Sequence, residues 1–213
     1  MAKRFIYTPS IVQILLLLNS IAFMLMYSAP MPIIENFALW PLGLTGQLVF
    51  NDLAPHFQLW QLISYAFLHG GLFHLFFNLF ALWIFGSRIE QSWGSKAFVI
   101  YYFVCVIGAA LVQLIVSSQA MSSGDIYPTL GASGGVFGLL LAFALTFPNE
   151  KLMLLIPPIV IKAKWFVLIY ASVELYAGVT GTLAGIAHFA HLGGMLFGFL
   201  LLWYWSKHPL RRE

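Results

Sequence analysis

What most constrains this chain is the spacing of its charges. Six stretches, at about 11–29, 69–87, 97–118, 131–147, 165–180 and 186–206, are dominated by apolar side chains and almost free of charged ones. A helix needs about 20 such residues to cross the hydrocarbon core of a bilayer. Over the whole chain 8% of residues are charged, against roughly 25% in a soluble domain; 61% are hydrophobic and 17% aromatic. Mean hydropathy is +0.90. These values exclude a soluble domain with a greasy core and predict an all-α polytopic membrane protein. With 213 residues, little chain remains outside six spans, so one membrane domain over 1–213 is expected.

The first stretch follows Lys3-Arg4 and has the outline of a signal peptide. Its apolar run is longer than a typical signal core, and no clear small-x-small cleavage site precedes Pro30-Met31-Pro32, so it reads as a first transmembrane helix.

Six spans sort the loops into two sets, and the cations test the sorting. The 10 basic residues are Lys3, Arg4, Arg88, Lys96, Lys151, Lys162, Lys164, Lys207, Arg211 and Arg212, and all fall on the side of the two termini. The opposite connections, 30–68, 119–130 and 181–185, carry Glu35, Asp52 and Asp125 but no Lys or Arg. Cytoplasmic loops are the basic ones, so both termini are expected in the cytoplasm. The pI of about 9.0 is then a topology signal. It forms no basic patch of the kind nucleic acid needs, and no nucleic-acid partner is expected.

The longest connection, 30–68, is not a polar linker. Phe37, Leu39, Trp40, Leu42, Leu44, Leu48, Val49 and Phe50 would be costly in water, yet Pro and Gly interrupt the run too often for a span. An interfacial structure partly embedded in the outer leaflet is expected, with Trp40 and Trp60 at headgroup depth. Irregular backbone at that depth must be buried in protein or reach water. In the fourth connection, Pro157-Pro158 and Lys162–Lys164 make 152–161 a membrane-hugging cytoplasmic stretch. Cys105, the single cysteine, is mid-span and reads as packing.

Three polar clusters interrupt the apolar spans. In Gly131-Ala132-Ser133-Gly134 a serine sits in the first turn of the short fourth span. There it would lie beside unpaired backbone amides and the positive end of the helix dipole, which suit an oxyanion. A serine among small residues also serves as packing glue between membrane helices. His191, in Ala190-His191-Leu192-Gly193-Gly194, shares a helix face with Gly194 and Gly198; Gly134, Gly138 and Ala142 make a second small-residue stripe beside Ser133. Close approach of these stripes would bring a hydroxyl to an imidazole, the pairing that activates serine as a nucleophile. His74 and Asn78, four residues apart on one helix face, can both donate hydrogen bonds to a developing oxyanion. Metal ligation is the rival reading for the histidines. No His-Glu-x-x-His is present and no acidic residue accompanies them in the outer half of the bundle, so no metal is expected. His69 reads as structural.

With these residues in place the chain resembles the rhomboid intramembrane serine proteases, in their minimal bacterial six-span form. It matches Gly-x-Ser-Gly at Gly131–Gly134, Ala-His-x-x-Gly-x-x-x-Gly at Ala190–Gly198 and His-x-x-x-Asn at His74–Asn78, in family order. The resemblance implies a Ser–His dyad with no third acid: Ser133 the nucleophile, His191 the general base and then acid. It implies an oxyanion site from the Ser133 backbone N–H with His74 and Asn78. Gly131 would leave open backbone beside the nucleophile, Phe137 would stack on the catalytic imidazole, and Gly194 and Gly198 would support its helix. Glu90 matches a structural glutamate of the family. The Trp-Arg pair of the family's first loop reads Trp60-Gln61 here, so the internal tether of that loop is expected to differ.

The resemblance further implies an endopeptidase acting in or next to transmembrane segments of membrane-protein substrates, with no cofactor, with small side chains preferred at the attacked residue, and with the fifth span and the cap over the cavity as the lateral gate. It implies a bacterial inner membrane and an active site opening to the outer face. Two other functions fit the class of chain: a non-proteolytic rhomboid-like protein that binds membrane clients, and a small proton or metal transporter using His69, His74, His188 and His191. Glu174 would cost ~2.5–3.5 kcal/mol at a bilayer centre, so it is expected protonated, or turned toward the bundle interior or water. His188, three residues before His191 and on nearly the same face, could tune His191 or hydrate the cavity, but reads rather as a packing or water contact.

Overall fold

The computed structural model describes residues 9–43, 48–49, 52–53, 55–122, 124–154, 158–182, 185 and 187–208. Lys3, Arg4, Arg211, Arg212, Leu44 and Phe50 lie outside them, as do the side chains of Leu48, Val49 and Asp52. The described residues form a helical bundle with two short hairpins.

Helix α1 (Ile11–Ser28) opens on a capping box in which Gln13 N–H donates to Ser10 Oγ and Ser10 N–H to Gln13 Oε1. The first amides of a helix have no partner within it. Here the Glu90 carboxylate supplies one, accepting from Ile11 N–H at 2.8 Å and Val12 N–H at 3.0 Å, and from Ser95 Oγ at 2.6 Å. Helix α2 (Pro30–Phe37) follows, with Pro at its start where the missing N–H costs nothing. Beyond it, β1 (Leu48–Val49) and β2 (Asp52–Leu53) pair antiparallel, and α3 (Gln61–Ser64) is one turn.

Helix α4 (Leu72–Ala81) runs through a π-helical turn, Leu82–Gly86, into α5 (Ser87–Trp93), which stops at Gly94 with φ of +85°. Helix α6 (Ser95–Ser122) is the longest; α7 (Ser133–Thr146) is the fourth apolar helix. Strands β3 (Lys151–Met153) and β4 (Val160–Lys162) then form a hairpin, with Leu152 opposite Ile161, and α8 (Ala163–Thr180) and α9 (His188–Lys207) complete the bundle. Its strands take the two ends of the stretch read as membrane-hugging: Pro158 and the β-branched Ile159-Val160-Ile161 favour extended chain over helix.

Among the described residues, four helical stretches are long and apolar enough to cross a membrane: 11–28, 72–93, 95–121 and 188–207. Helix α8 has 18 residues but carries Lys164 and Glu174. Helix α7, with 14 residues, rises only about 21 Å, short of the ~30 Å hydrocarbon core. It needs no lipid contact of its own, because ten of its residues, from Gly134 to Ala144, are buried against α6, α9 and the π turn. The outward sides of α1, α4, α8 and α9 expose Met24, Phe73, Phe77, Tyr176, Val179 and Trp203. So extended an apolar surface suits an integral membrane protein.

The α7–α9 seam explains the glycine stripes. A Cβ on Gly194 would overlap the Gly134 carbonyl, and one on Gly134 would meet Ala109 of α6. Gly138 and Gly198 face Cys105, so the lone cysteine is packing at this crossing. Buried tyrosines close polar gaps nearby: Tyr65 Oη donates to the Val106 carbonyl and Tyr101 Oη to that of Gly138, both at 2.8 Å.

The bundle has a basic end. Glu90 joins the start of α1 to the end of α5; Arg88 lies over Phe147 at the end of α7; Trp93 packs on Trp205 near the end of α9. Lys96, Lys151, Lys162, Lys164 and Lys207 belong to element ends gathered there. Ser133 starts α7 from the opposite end.

Candidate active site

The segment entering α7 is pinned before the serine is reached. Leu39 and Thr129 exchange backbone hydrogen bonds at 2.9 and 2.8 Å, and Gly131 N–H donates to the Tyr65 carbonyl at 2.9 Å. His69, fully buried, accepts from Ala132 N–H through Nε2 at 3.4 Å, which gives the structural histidine a definite task. Ser133 is thereby the first residue of α7, where its own N–H has no partner within the helix.

Its Oγ lies 2.9 Å from Nε2 of His191. The imidazole is held flat against Phe137, one turn along α7, with ring centroids 4.0 Å apart and planes 7° from parallel. Phe137 in turn touches Tyr170 of α8. Two residues 58 positions apart meet because the glycines of α7 and α9 let the helix backbones touch.

Gly131 has φ of +132°, and the place its Cβ would occupy lies 2.8 Å from His74 Nε2 and 3.6 Å from Ser133 Oγ. Only glycine leaves that space open. His74 thus borders the nucleophile. Asn78 is buried on the same helix, but its Nδ2 donates to the His74 carbonyl at 2.9 Å rather than to anything at Ser133. An amide nitrogen carries a second proton, so this bond leaves it one donor.

The finding that sequence reasoning missed is at the other imidazole nitrogen. Glu174 of α8, 5% exposed, places Oε2 2.9 Å from His191 Nδ1 and 2.7 Å from His188 Nδ1. An acid was expected to be absent here, and His188 was read as a packing or water contact. Neither holds. The signal available was Glu174 itself, a carboxylate mid-way along an apolar helix, which must find donors or water. The three groups offer one ligand atom each within 4.8 Å, so they could hold a metal ion, but only by giving up both short N–H···O bonds.

The first loop is tied without its family arginine. Gln61, fully buried, accepts from Trp40 N–H at 3.2 Å and donates to the Asn36 and His56 carbonyls, each at 3.4 Å. Trp60 Nε1 also reaches the Asn36 carbonyl, at 2.8 Å. Neutral hydrogen bonds do the tethering.

A profile of the rhomboid domain matches residues 56–208, from the first loop to the end of α9. The chain belongs to the rhomboid family. Similar proteins include Rhomboid protein 1, mitochondrial, of Saccharomyces cerevisiae, 34% identical over 147 residues, or 69% of this chain and 42% of that one. Rhomboid-like protein 11, chloroplastic, of Arabidopsis thaliana is 31% identical over 165 residues, 74% of this chain and 56% of that protein. Rhomboid protease GluP of Bacillus subtilis is 30% identical over 150 residues, 70% of this chain and 26% of the relative. The chain therefore spans about half or less of each of these rhomboid proteins.

Proposed function

We propose that this rhomboid is an intramembrane serine endopeptidase. The observation that carries the reading is the 2.9 Å contact between Ser133 Oγ and His191 Nε2 at the half-buried start of α7. Ser133 Oγ attacks the scissile carbonyl while His191 Nε2 takes its proton. The tetrahedral oxyanion forms beside the unpaired Ser133 N–H, with His74 and Asn78 as side-chain donors. As the intermediate collapses, the C–N bond breaks and the proton on Nε2 passes to the leaving amine. Water then repeats the sequence on the acyl-enzyme, with His191 again as base.

Substrates are transmembrane proteins, cut in or beside a membrane segment that unwinds to present its bond, with a small residue at the attacked carbonyl. The basic end of the bundle supports cytoplasmic termini, and Ser133 at the far end supports an active site opening to the outer face of a bacterial inner membrane. The test is labelling of detergent-solubilised protein by a serine-directed mechanism-based inhibitor. Wild type is expected to label, and Ser133→Ala and His191→Ala are not. A folded wild type that neither labels nor cleaves a transmembrane substrate would sink the reading; a labelled Ser133→Ala would move it to another serine.

A further inference from the structure

We infer that Glu174 is a positioning residue for this chemistry, so that the site works as a Ser133–His191–Glu174 triad assembled across α7, α9 and α8. The inference rests on the protease reading above and extends it.

The proton arrangement follows from the contacts. To accept from Ser133, His191 must keep Nε2 bare and carry its proton on Nδ1. Glu174 Oε2, 2.9 Å from Nδ1, accepts that proton's hydrogen bond and so selects the productive tautomer. His188 Nδ1, 2.7 Å from the same oxygen, fixes the carboxylate from a second side. The imidazole is thus held at both nitrogens and, by Phe137, on one face.

Charge makes the arrangement differential. Among the described residues no Lys or Arg lies within ion-pair distance of Glu174; its two ion-pair partners are His188 and His191. The groups that face the carboxylate are therefore imidazoles, with no fixed cation among the described residues. When Ser133 gives its proton to Nε2, His191 becomes an imidazolium directly against Glu174, which remains a carboxylate. An interaction stronger in the transition state than in the ground state is one that accelerates the reaction. The chain order Ser, Glu, His is no obstacle, since triads are recognised by geometry and roles.

The test uses the full chain in detergent with a transmembrane peptide substrate. Glu174→Gln keeps an acceptor and removes the charge; Glu174→Leu removes both. Relative to wild type, kcat per folded molecule is expected to fall at least tenfold in Glu174→Gln and further in Glu174→Leu, with KM within twofold. A ¹⁵N NMR spectrum of the histidines, assigned with His191→Gln, is expected to show His191 protonated at Nδ1 in wild type and a mixture of tautomers in Glu174→Leu. Unchanged kcat per folded molecule in both variants would overturn the proposal and leave Glu174 a structural residue. So would wild-type turnover that a chelator abolishes and zinc restores, since the cluster would then be a metal site. If wild type is folded but inactive, the protease reading fails, and the tautomer spectra still decide whether Glu174 positions His191.

Discussion

Glu90 and Glu174 are both buried carboxylates in an apolar chain, 7% and 5% exposed. Each would be costly without donors, and each has found three or two of them. They differ in what those donors can do. Glu90 accepts from two backbone amides and a serine hydroxyl, groups that hold their protons throughout. Glu174 accepts from two imidazoles, one of them hydrogen-bonded to Ser133. Burial alone marks both residues as needing a partner. The donors separate them: one carboxylate closes a helix end and the other faces a group that can change charge.

The largest test of that division leaves both glutamates in place. Ser133→Ala should lower kcat by about 10⁴-fold or more, as removal of a nucleophile does, with the thermal midpoint retained. If turnover survives, Glu174 has no reacting site to serve. Glu90→Ala comes next and should act on the fold. It strips the partner from two amides at the start of α1, and each unpaired buried group costs about 1–3 kcal/mol. The midpoint should therefore fall, while kcat per folded molecule stays within twofold. A Glu90→Ala protein as slow per folded molecule as Glu174→Gln would erase the contrast between the two residues.

The two glutamates also mark where reading the sequence succeeds and stops. Apolar runs and glycine stripes are local patterns, so the helices and the approach of Ser133 to His191 were legible from spacing. Gly194 and Gly198 were legible for the same reason, as members of a small-residue stripe, whereas Gly131 followed from the family motif, and its neighbour is the His74 side chain. Partners fixed by packing were not. Glu90 reaches Ile11 across 79 positions, and Glu174 reaches His191 from the neighbouring helix across a connection whose path no periodicity specifies. The resemblance to a dyad family argued against looking for an acid at all. Gln61 shows the same limit, since packing alone brings it to its carbonyl partners, Asn36 in α2 and His56 in irregular chain.

On the oxyanion side, Gly131→Ala should disturb a region that neither glutamate touches. The new Cβ would press on the His74 imidazole, and φ of +132° is strained for any residue with a side chain. A cost of about 1–3 kcal/mol is expected from the backbone alone, seen as a lower midpoint and as slower inhibitor labelling. Labelling at the wild-type rate would mean that His74 is not part of the oxyanion site.

The finest distinction is between the two restraints on His191 itself. Phe137 holds the ring by stacking and Glu174 holds it by a hydrogen bond. Phe137→Leu conserves most of the volume and removes the stacked face, worth about 0.5–1.5 kcal/mol, so kcat should fall only a few-fold. Because both residues act on one imidazole, their effects on kcat should not add. In a double-mutant cycle, Phe137→Leu with Glu174→Gln should show a coupling energy of at least about 0.5 kcal/mol. The same cycle with Glu90→Gln should show none, since that carboxylate caps α1 at the far end of the bundle. Additivity in both cycles would place Glu174 with Glu90 as a residue of the fold.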